Sequence, residues 1–245
     1  MVRMLVTRPE PDASETAGKL SALGIEPVVE PLLLYELLQT SLPDPTGFAA
    51  LLLTSSNALR ALNDRGAVAA CRHIKTYAVG DRTADAARAL GFADVTSAHG
   101  NLGDLVDLVA AQGAKGPVFY PASRERAGNL GKALARHGIM VITTEIYGMS
   151  PSSALSPGTR AVIEAGALDA AMFFSRRTAE AFVDVTTDLA GRGALSMLCI
   201  SEAVAAPLLK SHFGRVSLAD YPSEEAMLGL ALSFVRGQKQ GIIRQ

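Results

Sequence analysis

Short apolar runs alternate with stretches of helical periodicity along all 245 residues of the chain. The runs predict strands at 3–7, 27–34, 50–54, 76–79, 94–96, 117–120, 141–147, 170–174, 197–200 and 215–218. Apolar spacing between them predicts helices near 10–23, 56–63, 82–90, 101–112, 124–137, 177–190, 202–212 and 223–237. Gly24, Gly91 and Gly138 each follow a helical stretch and suit its C-terminal cap. Strand and helix in alternation predict an α/β class, with parallel sheets covered on both faces.

The pattern also repeats. "ALLLTSSNALRAL" (50–62) resembles "AAMFFSRRTAEAF" (170–182), placing Ser55 over Ser175, 120 residues apart. "YAVGDRTADAA" resembles "LCISEAVAAPL", placing Gly80 over Ser201, 121 apart. A further pair sets the segment around Gly24 against that around Gly138, 114 apart. The order A-B-A′-B′ predicts two related lobes, each a small doubly wound sheet, and by itself would cut the chain near 115. The stretch 31–48, an extended, partly apolar run with three prolines, and the stretch 147–160, with proline, serine and glycine, read as connections.

Composition narrows the function. With 49% hydrophobic and 19% charged residues, the chain can pack a core and is not disordered. A net charge of −1, 5% aromatic residues and no tryptophan argue against nucleic acid and against an anionic membrane as partners. No apolar run approaches the ~18 residues that span a bilayer. The amino terminus turns polar after six residues, without a signal-peptide core. Cys71 and Cys199 stand far apart, without metal-ligand spacing, and a reducing cytoplasm is expected. Dinucleotide, P-loop and nucleophile-elbow motifs are missing, and the four histidines form no metal pattern. No metal, nucleotide or covalent nucleophile is called for. The remaining chemistry is positioning, charge and a proton donor.

The groups that could supply it cluster after strands. In "YAVGDRTADAARALGF" (77–92), Gly80 turns the chain from a strand into a helix. Such a corner leaves backbone N–H groups of the first helical turn facing the ligand edge of an α/β sheet. Thr7, Thr54, Ser55, Ser56, Thr83, Ser123 and Ser175 lie at similar corners. Each either caps the following helix or donates to a ligand rich in carboxylates. Arginine supplies 17 of the 23 basic side chains, and Arg8, Arg82, Arg124, Arg126, Arg176 and Arg177 sit at or just past strand ends. A guanidinium binds a carboxylate bidentately, although these side chains could equally be solvated. Tyr147 closes the strand "VITTEIY" and carries a phenol that is neutral at pH 7 and can donate a proton.

Seven segments carry a resemblance to a known family. "LVTRPEPDA", "LLLTSSNALRAL", "YAVGDRTADAARALGF", "HGNLGDLVDLV", "VFYPASRERAGNLGKALARHGIMVITTEIY", "AAMFFSRRTAEAF" and "ADYPSEEAMLGLAL" occur in the order found in uroporphyrinogen-III synthases. The resemblance covers nearly the whole chain. It implies an enzyme that closes hydroxymethylbilane, a linear tetrapyrrole with eight carboxylates, to uroporphyrinogen III, losing water and inverting ring D through a spiro intermediate. No cofactor and no metal are implied. The implied fold has two α/β lobes joined by a two-stranded linker around a cleft, with lobe one formed by 1–36 and 150–245 and lobe two by 37–149. The implied cleft residues are Thr54, Ser55, Thr83 and Ser175, with Tyr147 assisting departure of the hydroxyl. Substrate carboxylates are then expected near Gly80 and Thr83, with the strand-end Arg8, Arg124 and Arg126 and the Ser201 corner as further candidate anchors. The family often has IG-x-T-T-A where this chain has "ISEAVA", so Ser201 replaces glycine, Val204 replaces a hydroxyl residue, and this corner is left with its backbone N–H groups. Expected partners are the linear tetrapyrrole and, transiently, hydroxymethylbilane synthase, with a monomer as the default. A non-catalytic two-lobed protein that binds an anionic small molecule or a tetrapyrrole is the alternative. The tail "VRGQKQGIIRQ" is too short to add a helix-turn-helix.

Overall fold

A computed structural model describes residues 1–126 and 128–242. The last three residues of the tail, and position 127 within the helix expected at 124–137, lie outside the described residues. The first elements in the chain are β1 (Arg3–Val6), α1 (Asp12–Ala22), β2 (Glu26–Val29) and β3 (Leu33–Leu37). Then come β4 (Ala50–Leu53), α2 (Ser56–Asp64), α3 (Val68–Cys71), β5 (Thr76–Ala78), α4 (Asp81–Ala89), β6 (Val95–Ser97) and α5 (Leu102–Gln112). After these lie β7 (Val118–Ser123), α6 (Leu130–Ala135), β8 (Val141–Pro151), α7 (Pro157–Glu164), β9 (Ala170–Phe173) and α8 (Arg176–Val185). The chain finishes with β10 (Ser196–Cys199), α9 (Glu202–Lys210), β11 (Val216–Leu218) and α10 (Glu224–Ile242).

The chain is an α/β protein with two sheets, and it divides into two compact units, Met1–Tyr35 with Ser150–Gln245, and Glu36–Met149. The first unit holds a sheet in the order β11-β10-β9-β1-β2, paired in parallel throughout. Its inner strands β9 and β10 are buried along their full length, as expected where helices cover both faces. The second sheet runs β3-β8-β7-β4-β5-β6, with parallel pairing from β8 to β6. Leu38 N–H bonds Ile146 C=O and Ser152 N–H bonds Leu32 C=O, so β3 and β8 run antiparallel. Matching β9, β10, β11, β1 and β2 to β4, β5, β6, β7 and β8 converts the first order into the second, less β3. The sequence repeats fall on these matched pairs, and residue 115 lies inside the second unit, away from either boundary.

Four local readings need correction. The single strand expected at 27–34 is two, β2 and β3. Between them Glu30 turns inward and accepts hydrogen bonds from Ser156 N–H, Ser156 Oγ (2.6 Å) and Thr159 Oγ1 (2.5 Å), so the chain cannot run straight. Those bonds fix the start of α7, which lies in the stretch read as a bare connection. Ser156 at the N-cap and Pro157 at the first helical position are its signal. The helix expected at 124–137 begins only at Leu130, where Asn129 caps Lys132 N–H (2.8 Å). The one-turn helix α3 was not expected. Gly24, Gly91 and Gly138 adopt φ of 75°, 87° and 72°, the left-handed conformation that their capping positions require. Among the described residues no helix is long and apolar enough to cross a membrane.

Candidate active site

In the second unit the side chains after β4 meet those of β7 and β8. A cavity of about 330 Å³ opens there, walled by Thr54, Ser55, Tyr120, Ser123, Glu125 and Tyr147, among others. The register between β7 and β8 shifts at this point, pairing Ala122 with Glu145 but Ser123 with Tyr147. The extra residue, Ile146, makes a bulge, and bulges re-aim the side chains beside them. Tyr147 is only 4% exposed. Its phenol shares hydrogen bonds with Ser55 and Ser123, while burial first, then the neighbouring Tyr120 and Glu125, pushes it up to about 12. It is therefore a neutral donor at any physiological pH.

Each neighbour is held in turn. Ser55 caps α2, accepting Asn57 N–H at 3.2 Å. Thr54 Oγ1 and Tyr120 Oη lie 3.0 Å apart. Ser123 Oγ donates to Glu125 (3.2 Å), which also accepts Met149 N–H (2.9 Å) and Arg124 Nε (3.0 Å). Burial opposes ionisation of Glu125, yet these donors hold its carboxyl below the usual range. Arg124 reaches Glu36 as well, and Arg126 donates to Ser123 C=O and to Glu145. A second cavity, of about 480 Å³, shares Tyr120, Arg126 and Gly128 with the first and adds Arg124, Asn129 and Thr143.

Tyr147, Thr54, Ser55, Arg124 and Arg126 thus gather at these two cavities. Gly80 and Thr83 are not in the walls of either. Gly80 starts α4 without a side-chain cap, and Thr83 N–H bonds back to Gly80 C=O (3.1 Å). Asp81, at the head of α4, brings its own negative charge; Ser97 and then His99 hold its carboxyl low. This corner is less inviting to an anion than its backbone alone suggests.

In the first unit Arg8 is committed to Asp12 (2.6 Å), Glu224 (3.1 Å) and Thr16, and its guanidinium lies over Phe174. Ser175 caps α8 through Thr178 N–H, the role open to any hydroxyl at such a corner. Ser201 occupies the start of α9 but caps nothing with its side chain, and Glu202 follows it. Tyr120 and Glu125 were missed from sequence. The sequence pattern ends its strand at Tyr120 and places Glu125 in the helix expected at 124–137.

The family model described as HEM4, uroporphyrinogen-III synthase HemD, matches residues 14–229. The chain belongs to the uroporphyrinogen-III synthase family. Its fold is similar to the crystal structure of uroporphyrinogen-III synthetase from Helicobacter pylori 26695, at 22% identity and a TM-score of 0.67, covering 95% of this chain and 98% of that one. It is also similar to a mutant uroporphyrinogen III synthase from the extremely thermophilic bacterium Thermus thermophilus, at 18% identity and a TM-score of 0.55, with both chains fully covered. No curated protein matches the sequence. The family's activity, a cyclising lyase reaction on hydroxymethylbilane in tetrapyrrole biosynthesis, is the activity of this chain.

Proposed function

We propose that the cavity around Tyr147 receives the reacting end of hydroxymethylbilane, and that the phenol protonates the departing hydroxyl. The observation that carries this reading is a buried, neutral phenol aimed by a β-bulge into a cavity lined by hydroxyls. The C–O bond of the hydroxymethyl group breaks, its electron pair leaves with oxygen, and the phenol proton completes water. The pyrrole nitrogen lone pair fills the deficit, leaving an azafulvenium cation that balances the phenolate. Ring D then attacks through its substituted α-carbon to give a spiro intermediate. The bond from that carbon to its original ring C methylene breaks, and the freed methylene re-bonds at ring D's unsubstituted α-carbon, closing the ring inverted. The proton that ring D releases on regaining aromaticity restores the phenol. Positioning against direct closure, rather than acceleration alone, is the protein's main task.

In this reading the carboxylates of the substrate are held at the carboxyl ends of strands in both units. Arg124, Arg126, Thr54 and Ser55 act at the cavities of the second unit, Gly80 and Thr83 at a corner weakened by the Asp81 charge, and Arg8, Ser175 and the Ser201 backbone in the first unit. The arginines would exchange protein carboxylates for substrate ones. The two units as lobes with a cleft, a cytoplasmic monomer, no cofactor, and a transient contact with hydroxymethylbilane synthase complete the proposal. The purified chain supplied with hydroxymethylbilane is expected to yield mainly the type III isomer. Type I alone, formed at the spontaneous rate, would overturn the reading.

A further inference from the structure

A carboxylate in a cavity meant for a polyanion needs a reason. Glu125 is not placed to grip the substrate's pyrrole N–H groups. An ionised carboxylate offers about four acceptor positions. Met149 N–H, Ser123 Oγ, Arg124 Nε and the residue's own N–H take four. Arg124 also offsets its charge toward an incoming anion.

The bond from Ser123 has a directional consequence. A serine hydroxyl has one proton, and an ionised carboxylate can only accept. A Ser123 hydroxyl with its proton free would favour the phenolate, but Ser123 spends that proton on Glu125 at 3.2 Å, so it meets the Tyr147 hydroxyl as an acceptor. The phenol's other partner, Ser55 Oγ, already accepts Asn57 N–H as a helix cap, and its own proton is available to the Tyr147 oxygen. We propose that Glu125 is a positioning residue which, acting through Ser123, sets the direction of a hydrogen-bond chain running from Ser55 to Tyr147 to Ser123 to Glu125.

This rests on the reading of Tyr147 as the proton donor and gives that donor an orientation. The phenol proton rests on Ser123 until a substrate hydroxyl takes the place of that acceptor. Once the proton is given up, Ser123 cannot follow with its own, because Glu125 holds it. The phenolate is left with Ser55 as its donor and faces the Glu125 charge, so it recovers a proton promptly. Among the described residues of the cavity wall, the titratable and charged groups are Tyr120 on β7, and Glu125 and Arg126 in the segment after it. β4, the Val79 end of β5 and α5 present none to it.

The test reads the phenol and not the reaction. The chain's five tyrosines are replaced by 3-fluorotyrosine, which lowers phenol midpoints and brings them into reach while the protein is folded. The Tyr147 signal is the ¹⁹F resonance that Tyr147→Phe removes. Ser123→Ala deletes an acceptor of the phenol proton, and the Tyr147 midpoint is expected to fall. If Ser123 were a donor to the phenolate, the same substitution would raise it. Glu125→Gln removes the anion and frees Ser123 to turn, and a fall of about one pH unit, tenfold in the ionisation constant, is expected. A rise or no change in folded Ser123→Ala overturns the proposal, even if Glu125→Gln does not fold. Loss of catalysis in Tyr147→Phe is a separate measurement, so the donor assignment and the chain direction fail independently.

Discussion

Tyr147→Phe is expected to slow ring closure by about 10²-fold or more while leaving the chain folded, the usual range for loss of a positioned proton donor. The ring keeps its place, because phenylalanine fills the same buried volume beside β7. Each of the two serines it abandons keeps one partner. Ser123 retains Glu125 and Ser55 still accepts Asn57 N–H; only the proton of the half-buried Ser55 hydroxyl loses its acceptor, so the structural cost is that of one ordinary hydrogen bond, about 1 kcal/mol. The product ratio refines the result. If the phenol only assists hydroxyl departure, enzyme-formed product stays type III. Type I then rises only where the spontaneous reaction overtakes the slowed enzyme, and more enzyme restores the ratio. An unchanged rate takes Tyr147 out of the mechanism.

The same variant has a signature in stability against pH. The folded phenol titrates at about 12, above its ordinary value near ~10. A raised value in the folded state contributes stability that is present below pH ~10 and is lost as pH climbs through about 12. The stability difference between wild type and Tyr147→Phe is therefore expected to be constant through neutral pH and to shift against wild type in that alkaline window. Denaturant titrations at stepped pH read it directly.

Much of this was legible in the chain because the signals were local. A buried parallel strand is a short apolar run, and a helix after it announces itself by period and cap. The Ser55 and Ser175 corners could be aligned by eye. The repeats at β4-α2 and β9-α8 fall on matching places of two sheets because the same strand–helix unit solves the same packing problem. What could not be read depends on pairing between distant residues. Glu30 breaks its strand because Ser156 and Thr159, more than 120 positions later, present donors to it. Tyr147 meets Ser123 because of a bulge, and a bulge exists only once two strands are in register. Glu125 lies in a short segment whose sequence passes for a helix start. Only the partners Ser123, Arg124 and Met149 explain why it leaves that path. The arginines show the opposite failure. Their positions after strands were seen, but not the acidic partners that already occupy them.

Phe182→Ala is expected to cost about 3–5 kcal/mol, a large part of the ~5–15 kcal/mol that holds a typical domain folded. Phe182 is fully buried in the core of the first unit, where its ring meets Phe173 of β9 edge-on at 5.2 Å and Phe213 at 5.9 Å. Truncation leaves a cavity between a helix and a sheet that cannot easily collapse, because β9 is pinned on both sides by β1 and β10. The position also matters for the ligand edge. Thr178, Ala179 and Phe182 form one buried stripe of α8, and Ser175 caps the same helix one turn before that stripe begins. Loosening the stripe frees the end of α8 that the proposal assigns to a substrate carboxylate. Weaker substrate binding is therefore expected in whatever fraction stays folded, at conditions where Tyr147 keeps its ionisation midpoint. Phe182→Leu, which retains most of the volume, should recover the larger part of both losses. Urea midpoints and KM for hydroxymethylbilane across the two variants measure them. A Phe182→Ala protein as stable as wild type would show that this ring does not hold α8 on its sheet.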